Sequence, residues 1–334
     1  MKHDIPAAHR RTGAIVAIAV LSLVAPGCGK DSGTGGEIIV GLITKTDTNP
    51  FFVKMKEGAQ KEAQARGVKL MTAAGRFVGD NPSQVTAVEN MIAAGVRGIL
   101  ITPSDTRAIV PSLEKARAKG IQVIALDTPP DPQSAVDALF ATNNLNAGIL
   151  IGKYAKASFG TRPVKIAMLD SVQGSTVGTL RHNGFLQGFG IKQGDPSIAC
   201  RQNTLSDAAG GRIAMEECLR KAPAINLAYT VNEPTALGAY TALKAAGKEK
   251  NVMIVSVDGG CTGVKAVQSG QIAATSQQYP LKMASQGVDA VVDFAKGGKK
   301  ATGYTDTGVN LITNKAQPGV DSKDVPFGLA NCWG

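Results

Sequence analysis

With 334 residues and 43% hydrophobic side chains, the chain can bury cores for two domains of ordinary size, and it holds no low-complexity tract. The formal net charge is +10. Residues 1–27 carry +2 of it (Lys2, Arg10 and Arg11 against Asp4), which leaves +8 for the rest. Those charges are interspersed along predicted helices with no run of five or more of one sign. The pattern argues against a nucleic-acid-binding stripe and assigns the basic balance to solvated helix faces.

In chain order, MKHDIPAAHRRTG is basic and AIVAIAVLSLVAPG is apolar and then small, the layout of a secretory signal over residues 1–27. The apolar part is too short to span a membrane comfortably. It runs into Cys28 within APGCGKDSGTGGE, where it resembles a bacterial lipoprotein signal, in which the cysteine becomes the lipidated first residue. Ala25 and Pro26 stand where such signals usually have an aliphatic and a small residue, so secretion without a lipid stays open. The Gly/Ser-rich stretch 28–36 suits a flexible tether. No later segment reaches 18 apolar residues, so the membrane is expected to be met through a lipid anchor only.

Beyond Cys28 the cysteines are Cys200, Cys218, Cys261 and Cys332, an even number that points to disulfides in an exported chain. Of the three possible connectivities, Cys200–Cys218 with Cys261–Cys332 is favoured. The first pair closes a short loop, worth about 3 kcal/mol in the chain-entropy model. Zinc is the rival reading. There is no CxxC pair, and His182 is the one histidine past the signal, so neither metal nor cofactor is expected.

From residue 38 onward, short β-rich runs alternate with helical patterns. IIVGLIT (38–44) precedes a helix over about 51–66, with Phe52, Met55, Ala59 and Ala63 on one face. VKLMTA (68–73) precedes a helix near 83–95 striped by Val85, Val88 and Ile92. GILIT (98–102), a helix near 106–119 and IQVIAL (121–126) follow, with Gly67, Gly95 and Gly120 where left-handed caps belong. The alternation restarts with LFAT (139–142), a helix near 145–158, VKIAML (164–169), a helix near 176–189 and SIACRQN (197–203). Then come a helix near 207–221, INLAYT (225–230), a helix near 234–246 and VMIVSV (252–257). IAATSQ (272–277), a helix near 281–296 and a strand around 307–313 complete the pattern. Such alternation means parallel sheets covered by helices on both faces, and this many strands means two α/β lobes.

Ligands of such folds bind at the carboxyl ends of the strands, in a cleft. The residues just past those ends are Lys45 with Asn49, Pro50, Phe51 and Phe52; Thr102 and Asp105; Asp127; Asn232; Asp258; and Gln278. Arg181 lies on the helix after strand 164–169. Carboxylates, amides and one guanidinium can bind hydroxyls in planar, bidentate fashion, and aromatic rings can pack on the weakly apolar C–H faces of a sugar. The set therefore suits a small polyol. Each residue also has a plain structural reading: Asp and Asn after a strand cap helices or make turns, and either Phe could fill core.

The motifs TNPFF, GILITPSD, IQVIALD, LRHNGF, TVNEPTALGAY, VSVDGG and ATSQQYP occur in this order. From residue 38 to the end the chain resembles the substrate-binding proteins of sugar ABC transporters, in the ribose-binding-like branch of the type I periplasmic binding proteins. KTDTNPFF and the segment NLITNKAQPGVDSKDVPFGLANCWG look most like fructose-binding members. The resemblance implies two doubly wound parallel-sheet lobes joined by three hinge crossovers, near 142–145, 277–281 and 305–310. One lobe would be 37–142 plus 279–306, the other 143–278 plus 307–334. It puts Asn49, Asp127, Arg181, Asn232, Asp258 and Gln278 on sugar-hydrogen-bonding positions, Phe51 and Phe52 on an aromatic wall, and Lys45 and Thr102 on variable contact positions. Two departures stand out: Thr128 where ribose binders have Arg, and Ser206 where they have a lobe-two aromatic. These argue against ribose itself, and leave room for a larger sugar or for another ring such as Tyr279.

The implied function is a binding protein, not an enzyme, that delivers a monosaccharide to an ABC permease, with a chemoreceptor as a possible second listener. A receptor for a polyol or sugar-like signal is the alternative on the same fold. A sugar-responsive repressor has no room for a DNA-binding headpiece between Cys28 and the first strand. An enzyme would have to use His182, without a G-x-S-x-G stretch, or an Asp127–Asp258 acid–base pair.

Overall fold

The computed structural model describes Met1 and residues 37–334. The signal (1–27), the tether (28–36) and Cys28 lie outside the described residues. Two six-stranded sheets organise the rest. The first holds β1 (Ile39–Thr44), β2 (Lys69–Ala74), β3 (Gly98–Ile101), β4 (Gln122–Leu126), β5 (Ala138–Ala141) and β11 (Gly303–Asp306), in the order β11-β5-β4-β3-β1-β2 and parallel throughout. The second holds β6 (Ile166–Asp170), β7 (Ile198–Asn203), β8 (Leu227–Thr230), β9 (Met253–Asp258), β10 (Ala274–Gln277) and β12 (Asn310–Thr313), in the order β12-β10-β9-β8-β6-β7. Its one antiparallel pair is β10–β12.

Helices cover both faces of each sheet, which is why the central strands are apolar without alternation. In β4, Ile124 and Leu126 join the core under α1 (Pro50–Ala65) and α9 (Pro280–Ala295). Val123 and Ala125 join the core under α2 (Asn81–Ala93) and α3 (Val110–Ala118). In the second lobe, α6 (Ala208–Lys221), α7 (Glu233–Ala245), α8 (Cys261–Gln268) and α10 (Val325–Asn331) bury one face. The other face is buried by α4 (Asn144–Phe159) and α5 (Thr176–Phe189). These last two helices touch almost backbone to backbone. A Cβ on Gly148 would lie 2.3 Å from the Arg181 carbonyl oxygen, and one on Gly184 would lie 2.1 Å from that of Leu145. Only glycine permits this approach, and it fixes Arg181 against α4.

The chain passes from the first sheet to the second between Ala141 and Asn144, back between Gln277 and Pro280, and over again between Asp306 and Asn310. The strand expected around 307–313 is β12, which starts at Asn310 once the crossing is complete. A parallel edge strand, β11, precedes the third crossing, whose Gly308 has φ of 97°. The helix expected from 106 starts at Val110, because Asp105 Oδ1 accepts from the Arg107 and Ala108 amides and folds that stretch into turns. The short helices α8 and α10 were not expected; each has Cys261 or Cys332 at or next to one end.

Disulfides join Cys200 to Cys218 and Cys261 to Cys332. The first ties edge strand β7 to α6, and the second ties the start of α8 to the residue after α10. The lobes also touch each other. The Thr106 amide and hydroxyl both donate to the Gly174 carbonyl (3.1 and 2.8 Å), and the Thr176 hydroxyl donates to the Pro129 carbonyl (2.6 Å).

Candidate functional site in the interlobe cleft

In each sheet the strand order reverses, between β1 and β3 and again between β6 and β8, so the loops leaving those strand tips part and open a crevice. The two crevices face one another around a narrow cavity that leaves about 30 Å³ open to a water-sized sphere. Lobe one lines it with Lys45, Asn49, Phe51, Phe52, Val78 and Asp127. Lobe two contributes Ser171, Val177, Arg181, Ser206, Val231, Asn232 and Asp258, and Gln278 stands at the crossover.

Helix α1 starts where the sequence says it should. Asn49 accepts from the Phe51 amide through Oδ1 (3.0 Å), and Pro50 occupies the first turn. This start places Phe51 and Phe52 at the cavity edge, perpendicular to each other with centroids 5.4 Å apart. Both rings also belong to the core under α1, so they are wall and core at once.

Asp127 sits in the left-handed region at φ of 61°, an unusual conformation for a side-chain-bearing residue. Its Oδ2 accepts from the Thr128 hydroxyl (2.7 Å), while Oδ1 is buried without a hydrogen-bond partner. Gln278 is similar: Nε2 donates to Asp258 Oδ1 (2.8 Å) and Oε1 is buried without a partner. Such unmatched acceptors cost about 1–3 kcal/mol each. Two of them belong to residues that line one cavity.

Arg181 is held from behind. Its Nε donates to Asn144 Oδ1 (2.8 Å) and its Nη1 to the Val231 carbonyl (2.9 Å). Nη2 stands 3.8 Å from Asp127 Oδ1, and Nη1 stands 3.5 Å from Asp258 Oδ1. One guanidinium therefore links a carboxylate from each lobe. Asp258 has φ of 143° and leads into a turn whose Gly259 and Gly260 amides donate to the buried Glu233 carboxylate (2.8 and 3.0 Å). Gly259 has φ of 70°, and a Cβ there would lie 2.3 Å from the Gln277 side chain, so the turn needs glycine.

Burial shifts the charges. It pushes Glu233 up to about 8, helped by the nearby Asp258. It pushes Asp258 up to about 6 against the pull of Arg181. Lys45 is lowered to about 8 by burial, although Asp127 favours its charged form. Two cations and two carboxylates thus face one cavity, a balance suited to a neutral, hydroxyl-rich ligand.

Nine of the ten expected contact residues come together on this cavity; Thr102 does not. Strand β3 ends one residue before it, and Thr102 turns into the lobe, fully buried, with its hydroxyl against Met55 Sδ (3.5 Å) and its carbonyl accepting from Gln84 (2.9 Å). Asp105 is absent from the cavity too, used up as a turn acceptor. Tyr279 supplies no extra ring, since its hydroxyl accepts from Asn310 at the crossing. Asn232 is largely occupied by structure: Oδ1 caps α7 through the Thr235 amide and hydroxyl, and Nδ2 donates to the Ser206 carbonyl.

Val78, Ser171, Val177 and Val231 were missed. Ser171 and Val231 each follow a strand tip and were within reach of the same rule, whereas Val78 comes from an irregular loop that carries no sequence signal. The Ser171 and Ser206 hydroxyls meet at 2.9 Å on the lobe-two wall. His182 lies elsewhere. It bonds Asp170 (2.8 Å) and Gln193 (2.7 Å), and although burial opposes its protonation, the Asp170 carboxylate raises its pKa overall. Among the described residues no group of three or more His, Cys, Asp or Glu side chains could hold a metal ion. No helix among them is long and apolar enough to cross a membrane.

Comparison with known proteins agrees with this geometry. Residues 40–300 match the family model described as periplasmic binding protein domain. The ribose import binding protein RbsB of Bacillus subtilis is 30% identical over 284 residues, covering 84% of this chain and 90% of its own. Among solved structures, a solute-binding protein of an ABC transporter from Actinobacillus succinogenes with bound D-allose superposes with a TM-score of 0.74 at 25% identity, covering 83% of this chain and 98% of its own. A galactofuranose-binding protein does so with a TM-score of 0.78 at 25% identity, over 88% and 97%. These relatives are substrate-binding proteins and not enzymes. The chain belongs to the periplasmic binding proteins, in the ribose-binding-like branch of type I.

Proposed function

We propose that this protein is the sugar-binding component of an ABC transporter: it closes on one monosaccharide in the interlobe cavity and presents the closed form to a membrane permease. The pair of buried, unpartnered acceptors, Asp127 Oδ1 and Gln278 Oε1, carries this reading. They lie on one cavity with the Arg181 fork and the Phe51–Phe52 wall. Sugar hydroxyls donate to the acceptors, accept from Arg181, and place a C–H face on the rings. Relatives named for ribose, D-allose and galactofuranose support the ligand class.

Within that class we assign a fructose-like monosaccharide. Lobe two offers the Ser171–Ser206 hydroxyl pair where a second sandwiching ring would stand, and Thr128 binds Asp127 where ribose binders use Arg. The moving bodies are 37–142 with 279–306 and 143–278 with 307–334. They rotate about the three crossings, and closure would engage the rim bonds of Thr106 and Thr176. Export with lipidation at Cys28 would hold the protein beside its permease, and a chemoreceptor could read the same closed surface.

Calorimetry of the chain starting after Cys28 against pentoses, hexoses, furanoses and sugar alcohols tests the function. The expected result is stoichiometric binding of one monosaccharide that is recovered unchanged. A response to sugar alcohols alone would favour the polyol receptor, and chemical conversion of the sugar would end the carrier reading. Metabolic labelling with palmitate tests the anchor: a labelled Cys28→Ser variant would refute it.

A further inference from the structure

Trp333 is the chain's one tryptophan, and it does not line the cavity. It is 5% exposed and held on four sides. Its ring meets Phe51 edge-on, with centroids 5.4 Å apart and planes at 77°. Two of its ring carbons lie 3.2 Å from the place a Cβ on Gly260 would occupy. Its Nε1 donates to the Gln278 carbonyl (2.8 Å), and its own carbonyl accepts from the Cys261 amide (2.9 Å). Its neighbour Cys332 is bonded to Cys261.

The path of the chain gives these contacts their meaning. Helix α10 packs on α8 and β12 of lobe two, yet the side chain that follows it enters the core of lobe one. The indole touches three pieces of the sugar site from behind: the Phe51 wall, the turn after Asp258, and the backbone of Gln278. A ring edge against Phe51 restricts that ring's rotamers, and the ring carbons beside Gly260 back the turn that follows Asp258.

We propose that Trp333, anchored by the Cys261–Cys332 bond, is a positioning residue of the sugar site, setting the lobe-one ring wall and the lobe-two Asp258 turn together and so coupling lobe closure to sugar affinity. The proposal rests on the sugar-binding reading above. It also supplies a use for this disulfide that the other does not share. Cys200–Cys218 lies at the β7 edge of lobe two, and neither cysteine lines the cavity.

Calorimetry on the full chain with D-fructose, D-ribose and D-allose, paired with melting curves of the ligand-free protein, tests it. Trp333→Ala should weaken binding about ten-fold, whereas Trp333→Phe, which keeps a ring, should stay within about three-fold. Paired Cys261→Ser and Cys332→Ser should weaken binding as Trp333→Ala does. Paired Cys200→Ala and Cys218→Ala should lower the Tm and leave affinity unchanged. In wild type the indole emission should shift on sugar addition. Wild-type affinity in Trp333→Ala, or equal loss of affinity in both disulfide variants, overturns the proposal. If Trp333→Ala does not fold, the comparison of the two disulfide variants decides. Wild-type protein that binds none of the three sugars, nor any other monosaccharide of the panel above, overturns the sugar reading and this inference with it, whereas wild-type binding with an indifferent Trp333→Ala overturns this inference alone.

Discussion

The two lobes are built on one plan and carry different chemistry. Each places five parallel strands in the same relative order, with a sixth at the edge, and each opens its crevice where the order reverses. Lobe one brings two rings, a lysine and the strained Asp127 to the cavity. Lobe two brings no ring at all; it brings Arg181, Asp258, Asn232 and two serine hydroxyls. The fold thus specifies where side chains converge, and the residue types at the strand tips decide what can be held there.

The sharpest test of that division removes the link between the lobes. Asp127→Ala or Arg181→Ala should abolish measurable sugar binding, since each removes a polar group that faces the cavity from one lobe. The far-ultraviolet circular dichroism should be unchanged, and wild-type affinity in either variant would mean that the lobes do not share this site.

The charges predict a pH window. Binding should weaken as pH falls through about 6, where Asp258 takes up a proton, and again as pH rises through about 8, where Lys45 loses one. The sign for stability is opposite for Asp258. Its folded pKa lies above the unfolded value of 3.8, so the folded state holds the proton more tightly. That stabilisation is full below the unfolded pKa and is lost as pH rises through about 6. At pH 7 the ionised carboxylate is therefore a burden on the empty protein. Asp258→Asn should lose binding and raise the Tm of the ligand-free form by about 2 °C or more. A lowered Tm would mean that Arg181 already compensates the charge.

Phe51→Ala probes the ring side of the comparison and should weaken binding by about 1–3 kcal/mol through lost ring contact and area. An unchanged dissociation constant would leave that ring to the core alone. The smallest effect is expected from Thr102→Val. The hydroxyl faces Met55 rather than the cavity, so affinity should stay within about two-fold of wild type by calorimetry. A larger loss would restore Thr102 to the site.

The alternation of strands and helices was legible because period and caps are local properties. Asn49 before Pro50 starts α1, and Gly67, Gly95 and Gly120 have the positive φ expected of them. The strand-tip rule found Lys45, Asn49, Asp127, Asn232, Asp258 and Gln278 because parallel sheets present their carboxyl ends together. It failed at Thr102, where a one-residue difference in the end of β3 turned the side chain inward. The edge strand β11 before residue 307 was not legible, because its pairing with β5 is made across more than 160 positions of chain.

From the sequence alone came the α/β alternation, the helix starts and the polar residues at the strand tips, all of them set by neighbours a few positions away. Tertiary structure decided which of those residues face a shared cavity, that Asp127 Oδ1 and Gln278 Oε1 stay without partners, and that Trp333 stands behind Phe51. The reason is physical. Burial, desolvation and ring contact depend on groups brought together across as many as 282 positions of chain (Phe51 to Trp333), and no local pattern of residues encodes such a meeting.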